Sequence, residues 1–190
     1  MSDKIHHENL KEALMKEAIA MIDEGGFDTF SVRKLSSRCH VSHNALYRHF
    51  KSKDDLRNEC IRYVSTEFAA SLSDSISGLD YSAVSTLAVL GQAYIKFFTD
   101  NPSYFRFIYT SESSSKIYLT LDKVKGNYPP FEVFREVCAA VIDKRHFPKD
   151  AGLKRLVRAW ALVQGAVSLA ISPNVILKGR WEECLKGLFE

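Results

Sequence analysis

Apolar residues recur at helical spacing along nearly the whole chain, and strand signals are absent throughout. From Leu10 to Ile22, the side chains of Leu10, Leu14, Ala18, Met21 and Ile22 share one side of a helix that Gly25–Gly26 stops. Two short patterns follow: Val32 and Leu35 on the first, Leu46 and Phe50 on the second, with Val41 in the turn between. Ser31 and Ser42 precede them and can each accept a hydrogen bond from the free N–H groups of a first turn. Two helices joined this tightly form a helix-turn-helix. The first helix, with Phe27 and Phe30, should roof the pair and make a three-helix head whose core holds Phe30, Val32, Leu35, Val41, Leu46 and Phe50.

Ser52 and Asp55 have capping-box spacing, and Asp54 and Asp55 sit where the positive end of a helix favours acids. A long helix is therefore predicted from near Lys53 to about Ser75, carrying Leu56, Ile61, Val64, Phe68 and Leu72. The serine-rich stretch Leu72–Ser85, with Gly78, reads as a linker. Helical spacing resumes from about Tyr81 to Asp100, and Asn101–Pro102 opens a short helix to Thr110. Ser111–Lys116 is a polar loop, and Ile117–Lys125 reads as one or two helical turns. Pro129–Pro130 starts a helix through about Lys144, Pro148 starts another over Lys149–Ile171, and Pro173 opens a last one to about Leu188. The pattern predicts an all-α protein of about nine helices, with a head over residues 1–52 and a larger helical domain over 53–190.

Charge sharpens this picture only by its distribution. The net charge of +3 over 190 residues is too small to mark a nucleic-acid binder, and through Tyr63 eleven Lys and Arg stand against ten Asp and Glu. Between Thr29 and Lys53, however, there is no acid, while Arg33, Lys34, Arg38, Arg48, Lys51 and Lys53 are all cationic. Cys39, Cys60, Cys138 and Cys184 lie far apart with no C-x-x-C pair, and no signal-peptide pattern opens the chain, so reduced thiols in a cytoplasm are expected. The uncharged run Ala159–Leu177 approaches the length of a membrane span. Gln164, Gly165, Ser168, Ser172, Pro173 and Asn174 interrupt it, so it reads as a buried helix.

On the second short helix, Leu46 and Phe50 point inward and leave His43, Asn44 and Arg48 on the outward side, early in the helix, where this motif contacts bases. Arg48 can hold a guanine through O6 and N7, and Asn44 an adenine through N6 and N7; the alternative for Arg48 is a phosphate contact. Cys39 and His43 alone keep a metal-like spacing among the nearby Cys and His residues, but they straddle the turn, so no metal site is expected. His6 and His7 read as part of a frayed terminus.

The order Ser31, Val32, Arg33, Leu35, Val41, Ser42, Leu46, Tyr47, His49, Phe50, Lys51, Lys53, Leu56, with its core LYRHFKSKDDL, resembles the signature of the TetR family of transcriptional regulators. The family pattern usually has Ala-Gly where this chain has Cys39–His40, and a small residue where it has Asn44. The resemblance implies phosphate contacts by Ser31, Arg33, Ser42, Tyr47, His49 and Lys53, residue types that all donate hydrogen bonds to phosphate.

Beyond the head, an excess of aromatic residues, among them Tyr94, Phe98, Tyr104, Phe107, Phe134 and Trp160, suggests flat apolar walls around a small-ligand cavity, although each alone is ordinary core. Leu90–Ile108 and Ala159–Ala170 resemble a ligand-domain subgroup of the same family marked by Trp, His and Gly. Trp160 and Gly165 are present, and Gln164 stands where His is usual. A helix apolar nearly all round between Ala159 and Ile171 must be covered on both sides. Leu162, Ala166 and Leu169, with Leu177, Trp181 and Leu185 of the last helix, are expected to face a second copy of the chain. No G-x-S-x-G elbow, glycine-rich phosphate loop or H-E-x-x-H is present, so neither an enzyme nor a cofactor is expected. The implied protein is a cytoplasmic, dimeric regulator, a repressor that a small apolar or aromatic effector releases from a palindromic DNA operator; a protein-interaction module with a vestigial head is the alternative.

Overall fold

The computed structural model describes the backbone of residues 2–9 and, with their side chains, residues 10–109, 116–176 and 178. Every regular element within them is a helix: α1 (Ser2–Gly25), α2 (Val32–Arg38), α3 (His43–His49), α4 (Lys53–Ser75), α5 (Val84–Asp100), α6 (Pro102–Tyr109), α7 (Pro129–Lys144) and α8 (Lys149–Ala170). The all-helical expectation holds, with eight helices among the described residues. By packing, the chain divides into one unit of Met1–Val64 with Ser103–Ser114 and another of Ser65–Pro102 with Ser115–Glu190. Helices α4 and α6 each contribute residues to both.

The first unit is built around the face of α1. Leu14, Ala18, Ile19 and Ile22 are buried together with Phe30, Leu35, Leu46, Phe50, Leu56 and Cys60. Burial pushes the Cys60 thiol up to about 12, so it stays neutral and packs as a small apolar group. Polar ties surround this core: Lys11 pairs with Glu59 at 2.7 Å, and the Tyr63 hydroxyl donates to Glu12 at 3.2 Å. Helix α6 joins the unit through Arg106, whose guanidinium grips both oxygens of Asp23, the Nη2–Oδ2 bond being 2.6 Å. A planar fork on a carboxylate fixes orientation as well as distance.

In the second unit the core is aromatic. The Trp160 ring receives Tyr94, Phe131 and Phe134 nearly edge-on at centroid distances of 5.4, 5.1 and 5.3 Å. Phe68 of α4 meets Tyr94 at 4.8 Å and Phe98 at 4.5 Å. Such edge-to-face pairs add to the apolar area they bury. Helices α7 and α8 approach so closely that a Cβ on Gly152 would lie 2.9 Å from Ile142 Cγ2 and 3.1 Å from Leu121 Cδ1.

Three expectations need correction. Helix α1 starts at Ser2 rather than Leu10, because residues 2–9 hold no Gly or Pro to break a helix and no apolar repeat to announce one; the backbone is helical through His6 and His7. Helix α6 does start at Pro102, and Asn101 before it also closes α5, donating its side-chain amide to the Phe97 carbonyl at 2.9 Å. The second correction concerns Ile117–Lys125, which is not helical. Its backbone groups are claimed from outside: the Asn127 amide bonds both the N–H and C=O of Tyr118, at 3.0 and 3.1 Å, and Arg135 Nη1 donates to the Leu121 carbonyl at 3.2 Å. Lastly, Pro173–Ile176 form a turn and an irregular stretch rather than a first helical turn. The remainder of the expected final helix lies outside the described residues.

Asn127 is 5% exposed, and its amide also donates to Glu132 at 2.9 Å and accepts from the Tyr128 N–H at 2.9 Å. Removing it strands several buried backbone groups. Asn127→Ala is therefore expected to lower stability by about 2–3 kcal/mol; a chemical-unfolding midpoint equal to that of the parent chain would contradict this.

Candidate nucleic-acid interface

Serine caps set the two short helices. Ser31 Oγ accepts from the Lys34 N–H at 3.4 Å and Ser42 Oγ from the Ala45 N–H at 3.1 Å. The next helix is capped likewise, Ser52 Oγ accepting from Asp55 N–H at 3.0 Å while the Asp55 carboxylate accepts from Lys51 N–H at 2.7 Å. Between α2 and α3 the chain reverses through a Schellman-type closure, with Val41 N–H donating to the Ser36 carbonyl at 2.9 Å and His40 at φ 53°. That left-handed position favours glycine, and the resemblance drawn above places a glycine there. Cys39 beside it is half-buried, and burial, with the negative charge of Glu17, pushes its thiol up despite the neighbouring Arg38.

Burial of Leu46 (1% exposed) and Phe50 (0%) fixes the rotation of α3. His43, Asn44, Tyr47 and Arg48 are exposed as a consequence, and the Tyr47 ring packs edge-on against His43 at 4.9 Å. Ser42 and Arg33 are exposed, Ser31 and His49 half-buried. The stretch thus presents its expected readers to solvent, along with three of its six expected phosphate donors, Arg33, Ser42 and Tyr47; Lys53, like Ser31 and His49, is half-buried.

Two of the six cations are engaged within the protein. Arg38 bonds Glu24 at 3.1 Å and Glu17 at 3.2 Å. Lys53 donates its ammonium to the Phe27 carbonyl at 2.7 Å and lies 4.3 Å over the Phe27 ring, as does the Arg57 guanidinium at 4.3 Å. Phe27 is thus held under two cations, which fixes the corner between α1 and α2 against the start of α4. Arg33, Lys34, Arg48 and Lys51 make no ion pair among the described residues, and they account for the positive field of the exposed surface.

The expected effector residues fall in both units. Tyr104, edge-on to Tyr63 at 6.4 Å, and Phe107 belong to the first. Tyr94, Phe98, Phe134 and Trp160 are buried in the aromatic core of the second. Gln164 is half-buried and donates its amide to the Tyr94 hydroxyl at 2.7 Å, so at this position a hydrogen-bonding tip serves a buried phenol. None of these lines a cavity of about 450 Å³ in the second unit, whose walls include Leu87, Val141, Leu156 and Leu162. That cavity escaped sequence reading, because its lining comes from three helices and its arginines look like an ordinary solvated face. Of the expected dimer residues, Leu162 is half-buried, Ala166 buried and Leu169 50% exposed; Leu177, Trp181 and Leu185 lie outside the described residues. No group of three or more metal-ligating side chains occurs among the described residues, and no described helix is long and apolar enough to cross a membrane.

A helix-turn-helix capped by serines, with an exposed cationic second helix and a larger helical unit behind it in sequence, defines a class of DNA-binding regulator. Residues 14–60 match the family model of bacterial regulatory proteins of the tetR family, and residues 87–186 match that of the tetracyclin repressor-like C-terminal domain. The chain belongs to the TetR family of transcriptional regulators. Similar folds include a TetR family transcriptional regulator, PfmR, from Thermus thermophilus (19% identity, TM-score 0.63, 93% of this chain and 94% of that one). A TetR transcriptional regulator from Legionella pneumophila is similar over 94% and 92% of the two chains (21% identity, TM-score 0.63), and a TetR-like regulator from a Rhodococcus species over 95% and 93% (14% identity, TM-score 0.60). Among curated proteins none matches the chain.

A non-glycine residue held in the left-handed region costs about 1 kcal/mol. His40→Gly is expected to recover about 0.5–1 kcal/mol, less the extra freedom glycine gains when unfolded. A lowered thermal midpoint for this variant would show that the His40 side chain contributes more than its backbone costs.

Proposed function

We propose that the chain is a sequence-specific repressor that acts as a homodimer in the cytoplasm and leaves its operator when a small molecule binds. The observation that carries the reading is the rotation of α3. With Leu46 and Phe50 buried, His43, Asn44, Tyr47 and Arg48 are exposed together in a stretch of chain that holds no acid between Thr29 and Lys53. In this reading Arg48, Asn44 and His43 meet base edges, while Ser31, Arg33, Ser42, Tyr47, His49 and Lys53 hold phosphates.

Dimerisation is supported by the second half of α8. Gly165 and Leu169 lie four apart along one stripe, Gly165 has open space over its Cα and Leu169 is half exposed, while Leu162 one turn earlier lines the cavity described above. Apolar and small residues in such a stripe allow a second helix to approach closely. Two heads would then meet successive major grooves about 34–36 Å apart, or a multiple of that, on a near-palindromic site.

The apolar cavity walled by Leu87, Val141 and Leu156 supports an effector with an apolar body, whereas Tyr94, Phe98, Phe134 and Trp160 pack against one another and leave it no room among them. Helix α4 is continuous from Lys53 to Ser75 and takes part in both units. An effector that favours one placement of α4 shifts the population away from the DNA-binding form by its difference in affinity for the two.

Selection of bound duplexes from a random pool tests the reading. The regulator should return a near-palindromic sequence preferred by roughly 10³ or more over random duplex; equal, salt-sensitive attraction to every duplex would instead mark an interaction module with a vestigial head. On the selected operator, Arg48→Ala should cost about 1–3 kcal/mol and relax preference at one step, whereas Arg33→Ala should weaken all sequences alike and reduce the salt slope by about 1. Arg33 is the cleaner phosphate test than Lys53, whose ammonium also braces the head.

A further inference from the structure

The cavity of about 450 Å³ in the second unit is lined by two kinds of side chain, buried apolar ones and exposed cationic ones. Its interior is apolar: Leu87, Val141, Ile142 and Leu156 are all less than 10% exposed. Cys138 belongs to the same interior, and burial pushes its thiol up to about 12, so it adds no charge. Three exposed arginines, Arg145, Arg155 and Arg158, line the cavity as well, and no carboxylate does. None of the three makes an ion pair among the described residues.

The cationic side is held in place rather than loose. Arg155 lies 3.7 Å over the Phe147 ring, which itself lines the cavity. Phe147 is set by the closure of α7, where His146 takes φ 55° and the Phe147 N–H returns to the Ile142 carbonyl at 3.2 Å. On the facing side, the approach to α5 is pinned by Asp80. Its carboxylate accepts from Lys144 Nζ at 3.2 Å and from Ser82 Oγ at 2.6 Å, and its backbone carbonyl accepts from Thr86 Oγ1 at 2.7 Å. Helix α5 begins at this cavity with Val84 in the lining and Ala83 at its cap, so no side chain satisfies its first N–H groups. Its positive end adds to the field of the arginines.

We infer that this cavity binds an amphipathic organic anion, a carboxylate or phosphate head on a compact apolar tail. The tail lies on Leu87, Val141, Ile142 and Leu156, and the head is taken by Arg155 and Arg158 with Arg145 beside them. Arginine suits this head because its planar fork meets two oxygens of one acid group at once. A neutral ligand of the same shape would gain nothing from the three solvated guanidinium groups, and a cation would be repelled.

The binding site stands independently of DNA recognition; its role as the effector site rests on the regulator reading above. Calorimetric titration of the full-length chain with octanoate, octyl phosphate and octanol separates the possibilities. At least one of the two anions should bind, and the tighter one identifies the head. Arg155→Gln with Arg158→Gln should weaken it roughly tenfold or more, while Lys154→Gln, which removes an exposed cation outside the lining, should leave it unchanged. Circular dichroism confirms that each variant remains helical. Octanol binding as tightly as the anions, equal losses in the Lys154 variant, or no anion binding at about 1 mM would each overturn the assignment. Release of the selected operator by the bound anion makes it the effector, whereas binding without release keeps the site and removes effector control by this ligand class.

Discussion

The burial of Leu46 and Phe50 in the core of the amino-terminal unit is the constraint on which that unit depends. Leu46 within the seven-residue α3 and Phe50 at its C-cap, both buried, leave the helix no freedom to roll. Whatever lies between and behind them must face solvent, so the identity of the exposed surface is decided by the core. The serine caps serve the same end: they start α2 and α3 at fixed residues, and a shift of one residue would carry Arg48 about a quarter-turn around the axis. Bracing from Lys53 and Arg57 across Phe27, and from Arg106 on Asp23, holds the surrounding helices to that geometry.

Much of this was legible in the sequence because its causes are local. Ser31, Ser42 and Ser52 mark helix starts by the hydrogen bonds they can accept, and Pro129 and Pro148 mark two more by what they cannot donate. Where the cause is distant, reading failed. The stretch around Tyr118 has helical composition, but Asn127 and Arg135 take its backbone groups, and neither can be connected to it by periodicity alone. Arg145, Arg155 and Arg158 likewise come from α8 and the turn that precedes it. In sequence they resemble any solvated run; only the packing of α7 on α8 brings them to one cavity.

The aromatic residues show a different limit. Their number signals flat apolar walls, yet composition does not say whether walls enclose space or each other. Tyr94, Phe98, Phe131, Phe134 and Trp160 pack ring against ring, and the phenol tip of Tyr94 is served by Gln164. Space opens instead where shorter aliphatic side chains meet the start of α5 and the end of α7. A glycine at 152 helps to set that space, because it lets α8 lie against Ile142 and Leu121 at a separation no other residue permits.

Cys39 occupies the most cationic stretch of the chain, where positive neighbours ordinarily encourage a thiol to ionise. Partial enclosure and the carboxylate of Glu17 outweigh Arg38, and the sulfur keeps its proton more firmly than a free cysteine does. Peroxides and electrophiles attack the ionised form, so a thiol that holds its proton more firmly makes the bend between the two short helices a poor target for them.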